Sequence, residues 1–161
     1  MKQIIRELIL IVLAAWLMIF ILALAIDACA QEIDTNVIIQ IESGGDPNAV
    51  SFAGAKNGRG LMQISEIVLK EYNQVNKTNI TVDSLYNPGF NKEVGTWYLL
   101  RIFNRYLKCN GTTEDILICY NWGYGNWRKW NKAGRQWGKL PIETQNYIIK
   151  YKRLVNEKAI R

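Results

Sequence analysis

At 161 residues, 49% of them hydrophobic, the chain is long enough to bury one globular core and too short for two domains of ordinary size. Its net charge of +6 favours anionic partners, whether nucleic acid, anionic lipid or an acidic cell wall, without choosing among them. The absence of histidine excludes Ser-His-Asp and Cys-His nucleophiles and every His-bearing metal site, and Cys29, Cys109 and Cys119 fit no zinc spacing.

Lys2 and Arg6 precede an unbroken apolar run from residue 8 to residue 26, which leads into Ala28-Cys29-Ala30. A positive start, an apolar middle and small residues at the end read as an export signal cleaved after Ala30. The run is 19 residues long, enough to span a bilayer, so an uncleaved anchor is the other reading. Asp27, two positions before Cys29, argues against lipidation. Both readings export the domain and divide the chain into residues 1–30, a signal peptide or membrane anchor, and residues 31–161, a single domain without internal repeats.

In that domain, Asp34 or Thr35 caps a first helix whose Val37, Ile38 and Ile41 recur at helical intervals before Gly44-Gly45 ends it. Glu42 follows Ile38 by four residues and so lies close to the apolar face, at a helix end where the dipole disfavours negative charge. Dipole and desolvation together predict a carboxyl that holds its proton more tightly than a free Glu does, and such a group can serve as a general acid. Residues 44–60 contain five glycines, Gly44, Gly45, Gly54, Gly58 and Gly60, and read as a loop with a short hairpin.

A second helix starts near Ser65, with Ile67, Val68 and Tyr72 assigned to one face. A third runs from about Gly89 to Lys108, with Val94, Trp97, Tyr98, Ile102, Phe103, Tyr106 and Leu107 as its apolar stripe. After Asn110-Gly111, Thr112 or Thr113 caps a fourth that carries Ile116, Leu117, Cys119 and Tyr120. Pro141 opens a fifth, to about Glu157, with Ile148, Tyr151 and Val155 inward. The pattern predicts a mainly α domain with a loop-rich cleft near Glu42. Cys109 and Cys119 fit either a disulfide or two buried thiols.

Residues 101–161 carry 13 Lys and Arg against four Asp and Glu. Arg128, Lys129, Lys132 and Arg135 are interleaved with Trp127, Trp130 and Trp137, an arrangement fit either to stack on bases or sugar rings or to form a solvated basic face over a core. Ser51, Gln63 and Asn121 are small polar groups suited to the N-acetyl and hydroxyl groups of a sugar, and Met62, Tyr120, Trp122 and Tyr124 are candidates for flat apolar walls.

The blocks ESGGDPNAVS, GLMQIS, CYNWGYGNW and ETQNYIIKY together resemble, in order, those of the soluble lytic transglycosylase family of lysozyme-like, peptidoglycan-cleaving enzymes, over roughly residues 32 to 155. The resemblance implies a single domain of the α+β lysozyme superfamily. It further implies that Glu42 first protonates the bond between N-acetylmuramic acid and N-acetylglucosamine. The same Glu42 then deprotonates the muramyl C6 hydroxyl, which closes a 1,6-anhydro ring without a second carboxylate, a metal or an organic cofactor. Ser51, Met62, Gln63, Tyr120, Asn121 and Glu143 fall at the family's substrate-binding and site-organising positions.

Peptidoglycan glycan strands are the implied partner, in the periplasm or cell envelope, together with components of a secretion or conjugation machine. Two features depart from the family: GAKNGRGLMQ is longer than the usual loop, so that Lys56 to Arg59 can extend a cleft wall, and Trp122 replaces a small residue. A hydrolytic muramidase on the same fold and a non-catalytic wall-binding module are the alternatives. The export signal argues against nucleic acid as a partner.

Overall fold

The computed structural model describes Trp16, residues 33–51 and residues 57–160. Asp34–Arg161 forms a compact unit. The signal or anchor expected at residues 1–30 lies, Trp16 apart, outside the described residues. Among the described residues no helix is long and apolar enough to cross a membrane.

Asp34 caps helix α1 (Thr35–Glu42) by accepting from the Asn36 and Val37 amides, which satisfies donors that a helix start leaves without intrahelical partners. Val37 and Ile38 are buried. Beyond Ser43, Gly44 and Gly45 adopt φ of 65° and 93° and turn the chain away. The glycine-rich loop contains the expected hairpin, in which β1 (Val50–Ser51) pairs antiparallel with β2 (Gly58–Arg59). Lys56 lies outside the described residues. Arg59, at the other end of that insertion, pairs with Glu66 at 2.9 Å.

Ser65 caps α2 (Glu66–Asn76), which buries Val68, Leu69 and Tyr72. Ile67 is 68% exposed and does not share their face: five residues from Tyr72 is well over a full turn, so the two side chains point apart. A 3₁₀ turn (Val82–Tyr86) leads to α3 (Pro88–Arg101), opened by Asn87, which accepts from the Phe90 amide, and by a proline in the first turn. The single helix expected as far as Lys108 gives way at Ile102 to a π-helical segment (Ile102–Tyr106). There the Leu107 amide reaches back to the Ile102 carbonyl at 2.9 Å. The wider turn buries Ile102, Phe103 and Leu107 together, a grouping that the regular helical period does not anticipate.

Helix α4 (Thr113–Trp122) starts with a reciprocal cap between Thr112 and Asp115 and buries Ile116, Leu117, Ile118 and Cys119. Gly123 separates it from α5 (Tyr124–Lys132), a helix that hydrophobic spacing does not reveal because Trp130 is its one buried residue. After a 3₁₀ turn (Trp137–Lys139), Pro141 leads into α6 (Ile142–Ala159), which buries Thr144, Tyr147, Ile148 and Tyr151. Val155, expected inward, is half-buried.

Helix α6 closes the domain over α1. The Tyr151 hydroxyl accepts from the Asp34 amide at 2.7 Å, and Lys158 pairs with the Asp34 carboxylate at 2.5 Å. Ile38, Met62, Leu85, Val94, Ile102, Leu117, Ile118 and Ile148 are fully buried and form one core beneath the cleft. The result is the mainly helical domain with a small hairpin that the sequence predicts. Both described cysteines are free, Cys109 exposed and Cys119 buried, so neither the disulfide nor the pair of buried thiols forms. Burial, with Asp115 adding to it, pushes the Cys119 thiol up.

Candidate active site

The end of α1 delivers Glu42 to a cleft of about 570 Å³ lined also by Ser51, Gln63, Tyr98, Tyr120, Asn121, Trp122 and Glu143. Ser43 fixes that helix end: its hydroxyl donates to the Ile39 and Leu61 carbonyls, at 3.3 and 2.8 Å, and accepts from the Gly45 amide at 3.1 Å. Glu42 is half-buried, and its Oε1 accepts a 2.8 Å hydrogen bond from the Tyr147 hydroxyl on α6. Tyr147 and Tyr151, one turn apart on α6, thus hold the two ends of α1.

Charge and burial around Glu42 determine the protonation of the nearby phenols. Burial first, and then the Glu42 carboxylate, raise the Tyr147 hydroxyl well above the ordinary tyrosine range. The same two causes, followed by Tyr98, raise Tyr120. Both hydroxyls therefore keep their protons at neutral pH and serve as donors: Tyr147 to Glu42, and Tyr120 to the Met62 carbonyl at 2.8 Å. The Tyr98 and Tyr120 rings lie 5.7 Å apart and form an aromatic side of the cleft, where burial pushes Tyr98 up as well.

Next to it is the turn from Arg59 to Gln63, and fully buried Asn91 holds it. Asn91 Oδ1 accepts from the Met62 amide at 2.8 Å, while Nδ2 donates to the carbonyls of Arg59 at 2.7 Å and Leu85 at 2.8 Å. Gly60 must pass this amide closely. A Cβ there would lie 2.3 Å from the Leu85 carbonyl oxygen and 2.4 Å from Asn91 Nδ2, and its φ is +72°, so only glycine fits. Gln63 also sits at positive φ, 48°, and its amide donates to the Ala49 and Gly60 carbonyls, each at 3.0 Å. Ser51 joins from the hairpin, where its hydroxyl accepts from the Gly58 amide at 3.3 Å.

Six of the seven residues singled out in the sequence line the cleft: Glu42, Ser51, Gln63, Tyr120, Asn121 and Glu143. Met62 does not. Its side chain is fully buried and packs on Gly95, where a Cβ would come within 2.2 Å of Sδ, while its main chain serves Tyr120 and Asn91. Tyr124, taken as a wall, instead stacks on Tyr106 and Trp127 with centroids at 4.8 and 5.7 Å. Trp122 does line the cleft. Glu143 is exposed in the first turn of α6, where the dipole favours it. The next residue, Thr144, is buried and donates to Asn121 Oδ1 at 2.8 Å, which fixes that amide against the start of α6.

Tyr147, Asn126 and Asn91 are contributors that the sequence reading passes over, and Ile67 and Tyr98, read there as core-facing helix positions, line the cleft. Tyr147 was visible inside ETQNYIIKY. Asn91 had a weaker signal, an amide among the apolar positions of a helix.

Of the interleaved aromatic and basic residues after α4, Trp127, Trp130 and Arg135 have structural partners, while Arg128, Lys129, Lys132 and Trp137 are exposed. Trp127 Nε1 donates to Asp115 Oδ1 at 2.7 Å, Arg135 pairs with the same oxygen at 2.8 Å, and Arg135 lies 5.1 Å above the Trp130 ring. Trp130 Nε1 donates to the Gln136 carbonyl at 2.8 Å.

The family model described as Transglycosylase SLT domain matches residues 28–140, and no curated protein matches the chain. The first three sequence blocks fall inside the match. ETQNYIIKY follows it at residues 143–151, so the matched region is shorter at its end than the resemblance, although that segment supplies Tyr147 to Glu42. With the greater part of its length matched, the chain belongs to the Transglycosylase SLT domain family, that of lytic transglycosylases acting on peptidoglycan.

Proposed function

We propose that the domain cleaves the β-1,4 bond between N-acetylmuramic acid and N-acetylglucosamine and leaves a 1,6-anhydromuramyl end, with Glu42 as both acid and base. The observation that carries this reading is a half-buried Glu42 at a helix C-terminus, opening on a cleft whose other polar groups, Ser51, Gln63 and Asn121, suit a sugar polymer. Glu42 gives its proton to the glycosidic oxygen as the bond from muramyl C1 breaks. The carboxylate so formed takes the proton of the C6 hydroxyl while that oxygen bonds to C1, which restores the acid and consumes no water. Tyr147 orients Glu42, Tyr120 holds the Met62 carbonyl and with it the turn that carries Gln63, and Ser51, Gln63, Asn121 and Glu143 contact the glycan.

The substrate requires a location outside the cytoplasmic membrane, in the periplasm or envelope, and residues 1–30 supply the export signal or anchor for residues 31–161. A small single domain of this kind suits local opening of the wall for a secretion or conjugation apparatus. A muramidase is the second reading, because Glu143 also lines the cleft and a hydrolase uses a second carboxylate to activate water. The test is a digest of purified peptidoglycan by residues 31–161, wild type beside Glu42→Gln, with products identified by mass. Anhydromuropeptides from wild type alone are expected. Reducing ends, one water heavier, would establish the hydrolase, and no release from either protein would point to a wall-binding module.

A further inference from the structure

Helix α6 is apolar on two opposite faces. Thr144, Tyr147, Ile148 and Tyr151 turn into the core. Ile142, Ile149 and Ile160 turn outward and are 70%, 56% and 85% exposed. Their spacings of seven and eleven residues bring all three to within about 20° of one line, and the stripe runs five turns, about 27 Å. Exposed isoleucines repeated along a single line are not the scatter expected of an ordinary surface.

The surroundings of the stripe are basic. Lys150 flanks it on the helix, Arg153 lies on the line itself between Ile149 and Ile160, and Lys139 and Trp137, 41% exposed, precede it in sequence. Among the described residues neither Lys139 nor Lys150 forms an ion pair, and Glu157, paired with Arg153 at 3.7 Å, and exposed Glu143 beside Ile142 are the acids near it. Two copies apposed through the stripe would set like charges against each other. Isoleucines among lysines and an arginine are instead the composition of a helix lying in an anionic bilayer interface.

We propose that the outer face of α6 docks on an anionic lipid surface, with Ile142, Ile149 and Ile160 entering the acyl boundary and Lys139, Lys150 and Arg153 among the headgroups. The proposal does not depend on the transglycosylase reading.

The test uses residues 31–161, since the core, caps and ion pairs described above all lie within Asp34–Arg161. The protein is sedimented with vesicles of phosphatidylcholine alone or with added phosphatidylglycerol, as wild type and as the triple variant Ile142→Ser, Ile149→Ser, Ile160→Ser. Wild type is expected to bind only the anionic vesicles. The triple variant, whose changes are all at exposed positions, is expected to bind at least about tenfold more weakly and to digest soluble glycan strands as wild type does. Binding that survives the triple substitution, equal binding to neutral vesicles, or no binding by wild type would overturn the proposal. So would a wild-type dimer in sedimentation equilibrium that the triple variant abolishes, since a second copy would then be the occupant.

Discussion

Two carboxylates, 73 residues apart in sequence, show how the same group can be built for opposite purposes. Asp115 is 3% exposed and surrounded by donors: the Thr112 amide at 3.0 Å and hydroxyl at 2.9 Å, Trp127 Nε1 at 2.7 Å, and Arg135 at 2.8 Å. Burial alone would raise its pKa, but Trp127, Thr112 and Arg135 together outweigh burial and hold it below the ordinary carboxylate value. Asp115 is therefore committed to its charge and joins the start of α4 to the segment after α5. Glu42 terminates a helix, receives a phenol at 2.8 Å and opens on a cleft. Substitution of Asp115 should therefore be felt in folding, and substitution of Glu42 in chemistry.

The largest expected effect is that of Glu42→Gln. An amide can neither give nor retrieve the proton, so release of muropeptides should fall by at least about a thousandfold, while the melting temperature stays close to wild type. A large fall in melting temperature would mean instead that Glu42 is a structural group. Asp115→Ala should give the reverse: a loss of about 2–3 kcal/mol in denaturant unfolding, because Trp127 Nε1 and the Arg135 guanidinium lose their shared acceptor, moderated by the partial exposure of Arg135. Glycan cleavage per folded molecule should be retained.

Acid sharpens the same contrast. The folded pKa of Asp115 is depressed, so its stabilising contribution is complete above the ordinary value of 3.8 and is lost as the pH falls through the lower folded value. Asp34 behaves likewise: the Lys158 bond is the largest cause of its depression, and the Asn36 and Val37 amides also lower it, against burial. Stability should fall steeply below about pH 4, and unfolding curves of Asp115→Asn against pH should be flatter there. An unchanged slope would show that the donors around Asp115 do not favour its charge.

How much of this was legible in sequence depends on whether a residue acts through its side-chain type or through its place in three dimensions. Caps located α1, α2 and α4, because capping is decided within a few residues by local hydrogen bonds, and Pro141 located α6 through its fixed φ. Six cleft residues followed from the blocks that carry the family resemblance. Met62 was misplaced because an apolar side chain in a cleft block reads as a wall, whereas its function lies in an amide and a carbonyl held by Asn91 and Tyr120. Tyr124, Trp127 and Arg135 looked like a sugar- or base-stacking surface because composition does not show that a buried acid stands among them. Helix α5 went unpredicted for the same reason: its inward contacts are indole hydrogen bonds and ring stacks rather than an apolar stripe.

Tyr147→Phe is the smallest of these changes and the one that separates orientation of Glu42 from mere packing around it. It removes one hydroxyl and leaves the buried ring, so the cost in stability should be about 1 kcal/mol, and the loss of kcat should be about tenfold as the carboxyl loses its fixed rotamer. The pH profile carries the sharper information. A phenol donates more strongly to a carboxylate than to a carboxylic acid, so removing it disfavours the ionised form of Glu42. The general acid should then keep its proton to higher pH, and the alkaline limb of kcat/KM should move upward. If Tyr147 only filled space, kcat would fall through looser packing but the limb would stay where it is. An upward shift in a variant that remains folded would show that α6, through one hydroxyl, sets the protonation of the group at the end of α1.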